Sequence, residues 1–151
     1  MSHSSRIIAL LLGLAALMPP AWGGSSQTPK PGSSERKAIC DAMRSYVQKD
    51  AIRSLPKPIL FKVEFMRVDG DYAGFEGFPI FEDGSPAIPN YMPDIVYTTF
   101  LKRRGHGWQV IADLSRTDVP SPNELASIRK KFSQAIPSSV LPEFWREKLR
   151  P

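Results

Sequence analysis

The stretch Ile59-Leu60-Phe61-Lys62-Val63-Glu64-Phe65-Met66-Arg67-Val68-Asp69-Gly70-Asp71-Tyr72-Ala73-Gly74-Phe75-Glu76-Gly77-Phe78 decides the fold. Its first part alternates, with Ile59, Phe61, Val63 and Phe65 expected on one side and Lys62 and Glu64 on the other. Strict alternation is the period of a strand with one buried face. Asp69-Gly70 then separates two strand-like segments, and Asp-Gly is a strong signal for a two-residue type I′ hairpin turn. Two more strands are expected downstream, Ile95–Arg103 and Trp108–Leu114, joined by the Arg104-Gly105-His106-Gly107 turn. Locally joined strands make an antiparallel meander the economical arrangement.

Working upstream, Ile39, Ala42, Met43, Tyr46 and Val47 recur at helical spacing. They form the apolar stripe of an amphipathic helix from about Ser34 to Lys49, which must lie on the sheet. Downstream, Ser121-Pro122-Asn123-Glu124 is a capping box with proline at the first helical position. Leu125, Ile128 and Phe132 line one side of the short helix that follows. Pro137 ends that segment, and Pro142 opens a last turn carrying Phe144 and Trp145. The expected fold class is α+β: one N-terminal amphipathic helix packed on a four-stranded antiparallel meander, followed by a short C-terminal helix and a proline-punctuated tail.

Residues 1–6 carry one positive charge, Arg6, and are followed by the apolar run Ile7–Met18, then Pro19-Pro20 and Ala21-Trp22-Gly23. These are the three regions of a secretory signal peptide, with cleavage expected after Gly23. Residues 24–32 (GSSQTPKPG) read as a flexible linker, and 33–151 as a single α+β domain. The expected location is periplasmic or secreted, without stable membrane insertion after cleavage. Removal of Arg6 lowers the net charge of +5 by one. A hydrophobic fraction of 42% excludes a disordered chain. A single cysteine excludes an internal disulfide framework and a zinc site built on two or more thiolates.

The expected helix-facing sets are Phe61/Val63/Phe65, Ala73/Phe75/Gly77, Tyr97/Thr99/Leu101 and Trp108/Val110/Ala112/Leu114. The reverse face then holds Lys62, Glu64, Tyr72, Glu76, Phe78, Val96, Thr98, Phe100, Gln109, Ile111 and Asp113, more apolar than a solvated sheet face. The tail, a second copy in a homodimer, or another partner is expected to cover part of it.

Chemistry-bearing residues are sparse. His106 sits in a Gly-His-Gly turn that cannot hold an imidazole in a fixed orientation for a catalytic triad. Histidine-based metal sites fail on count, and no metal or cofactor is expected. Cys40 borders the apolar stripe and reads as a structural thiol, with an intermolecular disulfide or a reactive nucleophile as the alternatives. The acid/base candidates are Glu76 and Asp113, with Tyr72 beside them on the same expected face. The binding candidates are Asn90, Tyr91 and Met92 in the proline-rich connection Glu82–Asp94, together with Phe100, Lys102, Arg103 and Arg104. Basic clusters at 102–104, 129–131 and 146–150 lack the interleaved aromatics of a nucleic-acid reader, so no specific nucleic acid is expected.

Two pieces of sequence carry a resemblance: Gly70-Asp71-Tyr72-Ala73-Gly74-Phe75-Glu76-Gly77, and Tyr97-Thr98-Thr99-Phe100-Leu101-Lys102-Arg103-Arg104-Gly105-His106-Gly107-Trp108-Gln109-Val110. They resemble the central hairpins of nuclear-transport-factor-2-like, cystatin-like α+β proteins, especially small secreted bacterial members of uncharacterised function. The likeness covers about residues 34–115. That superfamily includes ketosteroid-isomerase-like and polyketide-cyclase-like enzymes, and many non-catalytic binding domains. Its enzymes carry extra N-terminal helices that form a deep cone, whereas this sequence offers one. The cystatin inhibitor signature Gln-x-Val-x-Gly is absent, so fold likeness does not imply protease inhibition. The resulting expectation is an exported non-catalytic module that binds a protein partner or an envelope component. The alternatives are a small cone-shaped isomerase or hydrolase using sheet-face carboxylates, and a basic adaptor for anionic envelope polymers.

Overall fold

Four strands in chain order form the sheet of the computed structural model, which describes residues 25–49, 58–87, 96–115, 120–132 and 136–149. They are β1 (Leu60–Asp69), β2 (Tyr72–Ile80), β3 (Tyr97–Arg104) and β4 (Gly107–Asp113). Each pairs antiparallel with the next, in the spatial order β1-β2-β3-β4. Helix α1 (Ser34–Lys49) precedes them, and α2 (Pro122–Phe132), a 3₁₀ turn (Ser138–Val140) and α3 (Glu143–Lys148) follow. The fold is α+β, with the helix, meander and helical tail in the expected order. The signal peptide expected over residues 1–23 lies outside the described residues, as do Asn90, Tyr91 and Met92.

Ser33 caps α1: its hydroxyl accepts a hydrogen bond from the Arg36 amide at 3.3 Å. Ile39, Met43 and Val47 are fully buried along the predicted stripe, with Ala42 and Tyr46 at its margins. Burying three such side chains is worth about 1.5–3 kcal/mol each, before entropy, and this is what fixes a short helix to a sheet. The helix packs chiefly over β4 and touches β1 more lightly. Between helix and sheet lies a core that also includes Ile59, Met66, Val68, Ala73, Phe75, Tyr97, Leu101 and Trp108.

Both hairpins have two-residue loops, and the first differs from the expected type I′ form. Asp69 pairs with Tyr72, so Gly70-Asp71 is the first loop rather than Asp69-Gly70. Arg104 pairs with Gly107, leaving Gly105-His106 as the second. Gly70 (φ 55°) and Gly105 (φ 57°) have positive φ, and no described non-glycine residue does. A glycine at the first central position followed by an ordinary residue is the type II′ pattern.

Two bulges correct the expected face assignment. Val63 pairs with Gly77 but Phe65 with Glu76, so Glu64 is an extra residue in β1. Phe65 therefore leaves the helix face, which continues through Met66 and Val68. In the second bulge Phe100 pairs with Ala112 and Leu101 with Val110, so Ile111 is extra in β4. Ala112 and Leu114 move to the reverse face and Asp113 moves to the helix face. One inserted residue exchanges every side chain beyond it, because the strand period is two.

The reverse face is covered by the tail. Phe100, Leu114, Phe132, Val140, Leu141 and Trp145 form a second core, joined by Tyr72, Ala112, Ile128, Ile136 and Leu149. Phe100 and Phe132 meet edge to face, with ring centroids 5.1 Å apart. The Ser139 hydroxyl donates to the Asp69 carboxylate, pinning the 3₁₀ turn to the end of β1. The stretch expected as a free linker is also attached. Gln27 exchanges two 2.9 Å backbone hydrogen bonds with Val68 on the outer edge of β1, and Pro29 is buried. Pro29 and Pro31 have no N–H to donate, so the pairing stops there and the chain turns into α1.

Candidate functional site

Of the acid/base candidates, Glu76 and Tyr72 occupy the reverse face, and Asp113 occupies the helix face. Glu76 sits on β2 between its paired neighbours Phe65 on β1 and Thr98 on β3. The Thr98 hydroxyl donates to Glu76 Oε1 at 3.1 Å. Partial burial pushes the Glu76 carboxyl above the ordinary glutamate value, and the Thr98 hydrogen bond offsets this in part. Tyr72 lies near the turn end of β2, with the Lys102 ammonium 5.1 Å from the centre of its ring.

Asp113 is held by other partners. The Tyr46 hydroxyl of α1 donates to Asp113 Oδ2 at 2.8 Å. Oδ1 accepts from the Ser115 amide at 2.8 Å and from the Ser115 hydroxyl. The Ser115 hydroxyl oxygen in turn accepts from the Thr98 amide at 3.0 Å. Asp113 therefore ties the helix to the turn that follows β4. Glu76 and Asp113 stand on opposite sides of the sheet and cannot act on one substrate atom. Glu64, placed beside them from sequence, is the bulge residue and pairs with Lys62 at 2.9 Å near the surface.

The binding candidates also separate. Phe100 is fully buried in the second core and presents no surface. Arg103 is engaged on three sides. Its Nη2 donates to both carboxylate oxygens of Glu35 at 3.1 and 3.0 Å. Its Nε lies 3.7 Å from Asp71 Oδ1, and its guanidinium sits 4.3 Å from the centre of the Trp108 ring. Trp108 Nε1 donates to the same Glu35 at 2.7 Å. Glu35 occupies the first turn of α1, where the helix dipole favours an anion. The cluster binds the start of the helix to the β3–β4 hairpin. Lys102 lies over Tyr72, which leaves Arg104 exposed at the hairpin end beside the exposed His106.

Sequence reasoning missed Glu35, Thr98 and Tyr46 as partners. The tie between Glu35 and Trp108 depends on how the helix crosses the sheet, which the period of a single element does not show. Cys40 is partly buried at the margin of the first core, and burial raises its thiol pKa more than Arg36 and Arg44 lower it. Beside α2 an open hollow of about 360 Å³ is lined by Asn123, Glu124, Ser127 and Ile128. Glu124 is committed to the capping box: the Ser121 amide and hydroxyl donate to its carboxylate at 2.9 and 2.7 Å. These bonds hold the carboxyl below its ordinary range.

Among the described residues, no three His, Cys, Asp or Glu side chains come together as metal ligands. Among the same residues, no helix is long and apolar enough to cross a membrane. Comparison with protein-family models, with curated proteins and with solved structures found no match to this chain.

Proposed function

We propose that the chain is an exported, non-catalytic interaction domain, similar in plan to the small nuclear-transport-factor-2-like, cystatin-like proteins. The observation that carries the reading is the occupation of both sheet faces. In the cone-shaped enzymes of that plan, helices and a curved sheet leave a cavity that holds the acid/base group. Here α1 fills one side, and Phe100, Phe132, Val140 and Trp145 fill much of the other. Glu76 keeps a half-buried carboxyl, but Asp113 faces away from it toward Tyr46. Among the described residues Glu76 has no acid or base paired with it, and a lone carboxylate supplies little of what isomerase or hydrolase chemistry needs.

Interaction would then fall to what projects from the sheet ends. At one end Arg104 and His106 are exposed on the β3–β4 hairpin. At the other, the connection that begins at Glu82 is shaped at its start. Phe81 and Ser85 bond through the backbone at 2.8 Å, and Ala87 donates to the Pro79 carbonyl at 3.0 Å. Asn90, Tyr91 and Met92 of this connection lie outside the described residues.

The test is expression of the full sequence in a bacterial host, followed by fractionation and mass measurement. Recovery outside the cytoplasm as a chain beginning at residue 24 is expected. The intact 151-residue chain in the cytoplasmic fraction would overturn export. Affinity capture from the extracytoplasmic extract should recover a partner that Tyr91→Ala or Arg104→Ala releases. A partner retained by both variants removes these two residues from the surface.

A further inference from the structure

The last turn of α2 carries three consecutive cations, Arg129, Lys130 and Lys131, all exposed. α3 follows after a proline-punctuated connection and ends in Lys148. The two basic stretches meet in space, because Arg129 Nε donates to the Lys148 carbonyl oxygen at 3.0 Å. One turn before Lys148 stands Phe144, 47% exposed, with the Lys148 ammonium 5.8 Å from the centre of its ring. Phe144 is backed by its neighbour Trp145. It lies edge-on to Trp145, centroids 5.2 Å apart, and Trp145 is buried in the second core.

Spacing of four places Phe144 and Lys148 on one strip of α3, and Glu143 and Glu147 on the neighbouring strip. The corner thus presents an exposed aromatic ring with Lys148 beside it and two carboxylates on the neighbouring strip, joined through Arg129 to the basic last turn of α2. An anionic polymer would engage the cations but has no apolar layer to receive the ring. A lipid surface offers both: charged headgroups for Lys and Arg, and an interfacial zone that takes up aromatic side chains.

We propose that the corner formed by the end of α2 and by α3 docks on an anionic lipid surface. Phe144 enters the headgroup layer, and Arg129, Lys130, Lys131 and Lys148 meet the headgroup charges. The proposal goes beyond the interaction reading above and does not rest on it.

The experiment is co-sedimentation with two kinds of vesicle, phosphatidylcholine alone and phosphatidylcholine mixed with phosphatidylglycerol. The protein is that recovered from expression of the full chain. Any contribution from the apolar residues 7–18 is common to both vesicles and drops out of the comparison. Binding to the mixed vesicles and much less to the neutral ones is expected, with most of it lost at ~1 M salt. Phe144→Ala should weaken it about fivefold, since roughly half a phenylalanine side chain is lost from the buried contact. Lys131→Gln and Lys148→Gln should each weaken it about fivefold, and Glu147→Gln should strengthen it. Unchanged melting curves would show that these surface variants keep the fold.

Equal binding to both vesicles, or none to either, overturns the proposal. So does binding that Phe144→Ala leaves intact and dextran sulfate displaces, which would make the corner a site for anionic polymers.

Discussion

The carbonyl oxygen of Val140 occupies the space that a side chain on Gly74 would need. No other residue fits at position 74 while the 3₁₀ turn keeps its seat, because the obstructing atom is backbone and cannot swing aside. The tail therefore rests on the sheet through the absence of a side chain, as close approaches of two backbones generally require. Gly74→Ala should cost about 1–3 kcal/mol by overpacking or by lifting the tail from the reverse face. Urea unfolding measures the loss, and faster proteolysis within 120–149 identifies the lifted tail as its cause. Gly107→Ala is the control: nothing lies within 4 Å of its missing Cβ. Its stability should stay within about 0.5 kcal/mol of the parent.

The Glu35–Arg103–Trp108 cluster makes a second quantitative prediction. Glu35 and Arg103 are each about one-third exposed, so solvent screens their attraction and the pair alone should contribute about 0.5–1 kcal/mol. The indole N–H adds a charge-assisted hydrogen bond from a buried residue. Trp108→Phe keeps most of the ring and removes this bond, and should cost about 1–2 kcal/mol. Arg103→Ala should cost more than Arg104→Ala, which lies on the exposed hairpin end and should be near neutral. A double-mutant cycle on Glu35 and Trp108, followed by thermal or urea unfolding, isolates the coupling. Zero coupling would mean that the hydrogen bond contributes nothing measurable.

What could be read before the structure was known followed periodicity. α1 shows its stripe at Ile39, Met43 and Val47, and both hairpins announce themselves through glycine-bearing turns between alternating segments. Capping at Ser121 and Glu124 was legible because the partners are three residues apart. The candidate site was much less legible. Bulges at Glu64 and Ile111 leave no mark in an alternating pattern, yet each reverses the faces downstream of it. Reading through them placed Asp113 beside Glu76 and Ala112 beneath the helix. The tail's apolar residues pointed to burial, but which surface they cover depends on Gly74, which looks like any strand glycine until Val140 is seen above it.

Glu76 gives a prediction with a definite sign. Burial raises its native pKa above the unfolded value of 4.5, so between those two values the native state holds more protons than the unfolded state. Stability then falls as pH rises through that window, since the slope follows the protons bound by the unfolded state minus those bound by the native state. Below the unfolded value the penalty is absent, and above the native value it is fully present. Glu76→Gln removes the charge while its amide oxygen can still accept from Thr98. The variant should be more stable than the parent at pH 7, with the advantage shrinking as pH falls toward 4. Urea midpoints of both proteins across that range are the check. A pH-independent difference would show that Glu76 ionises as freely in the fold as in the open chain.

Cys40 tests the first core from its margin. Its thiol lies partly buried on α1, and desolvation raises its pKa despite the nearby Arg36 and Arg44. The thiolate is the reactive form, so alkylation follows both the thiolate fraction and access. Iodoacetamide at pH 8 should modify Cys40 several-fold more slowly in the folded protein than in guanidinium. Arg36→Gln and Arg44→Gln each remove a charge that favours the thiolate, and each should slow the folded-state reaction further. A thiol that reacts as fast folded as unfolded would place Cys40 in an open, cation-activated setting. Its role would then be chemical, at the margin of the first core.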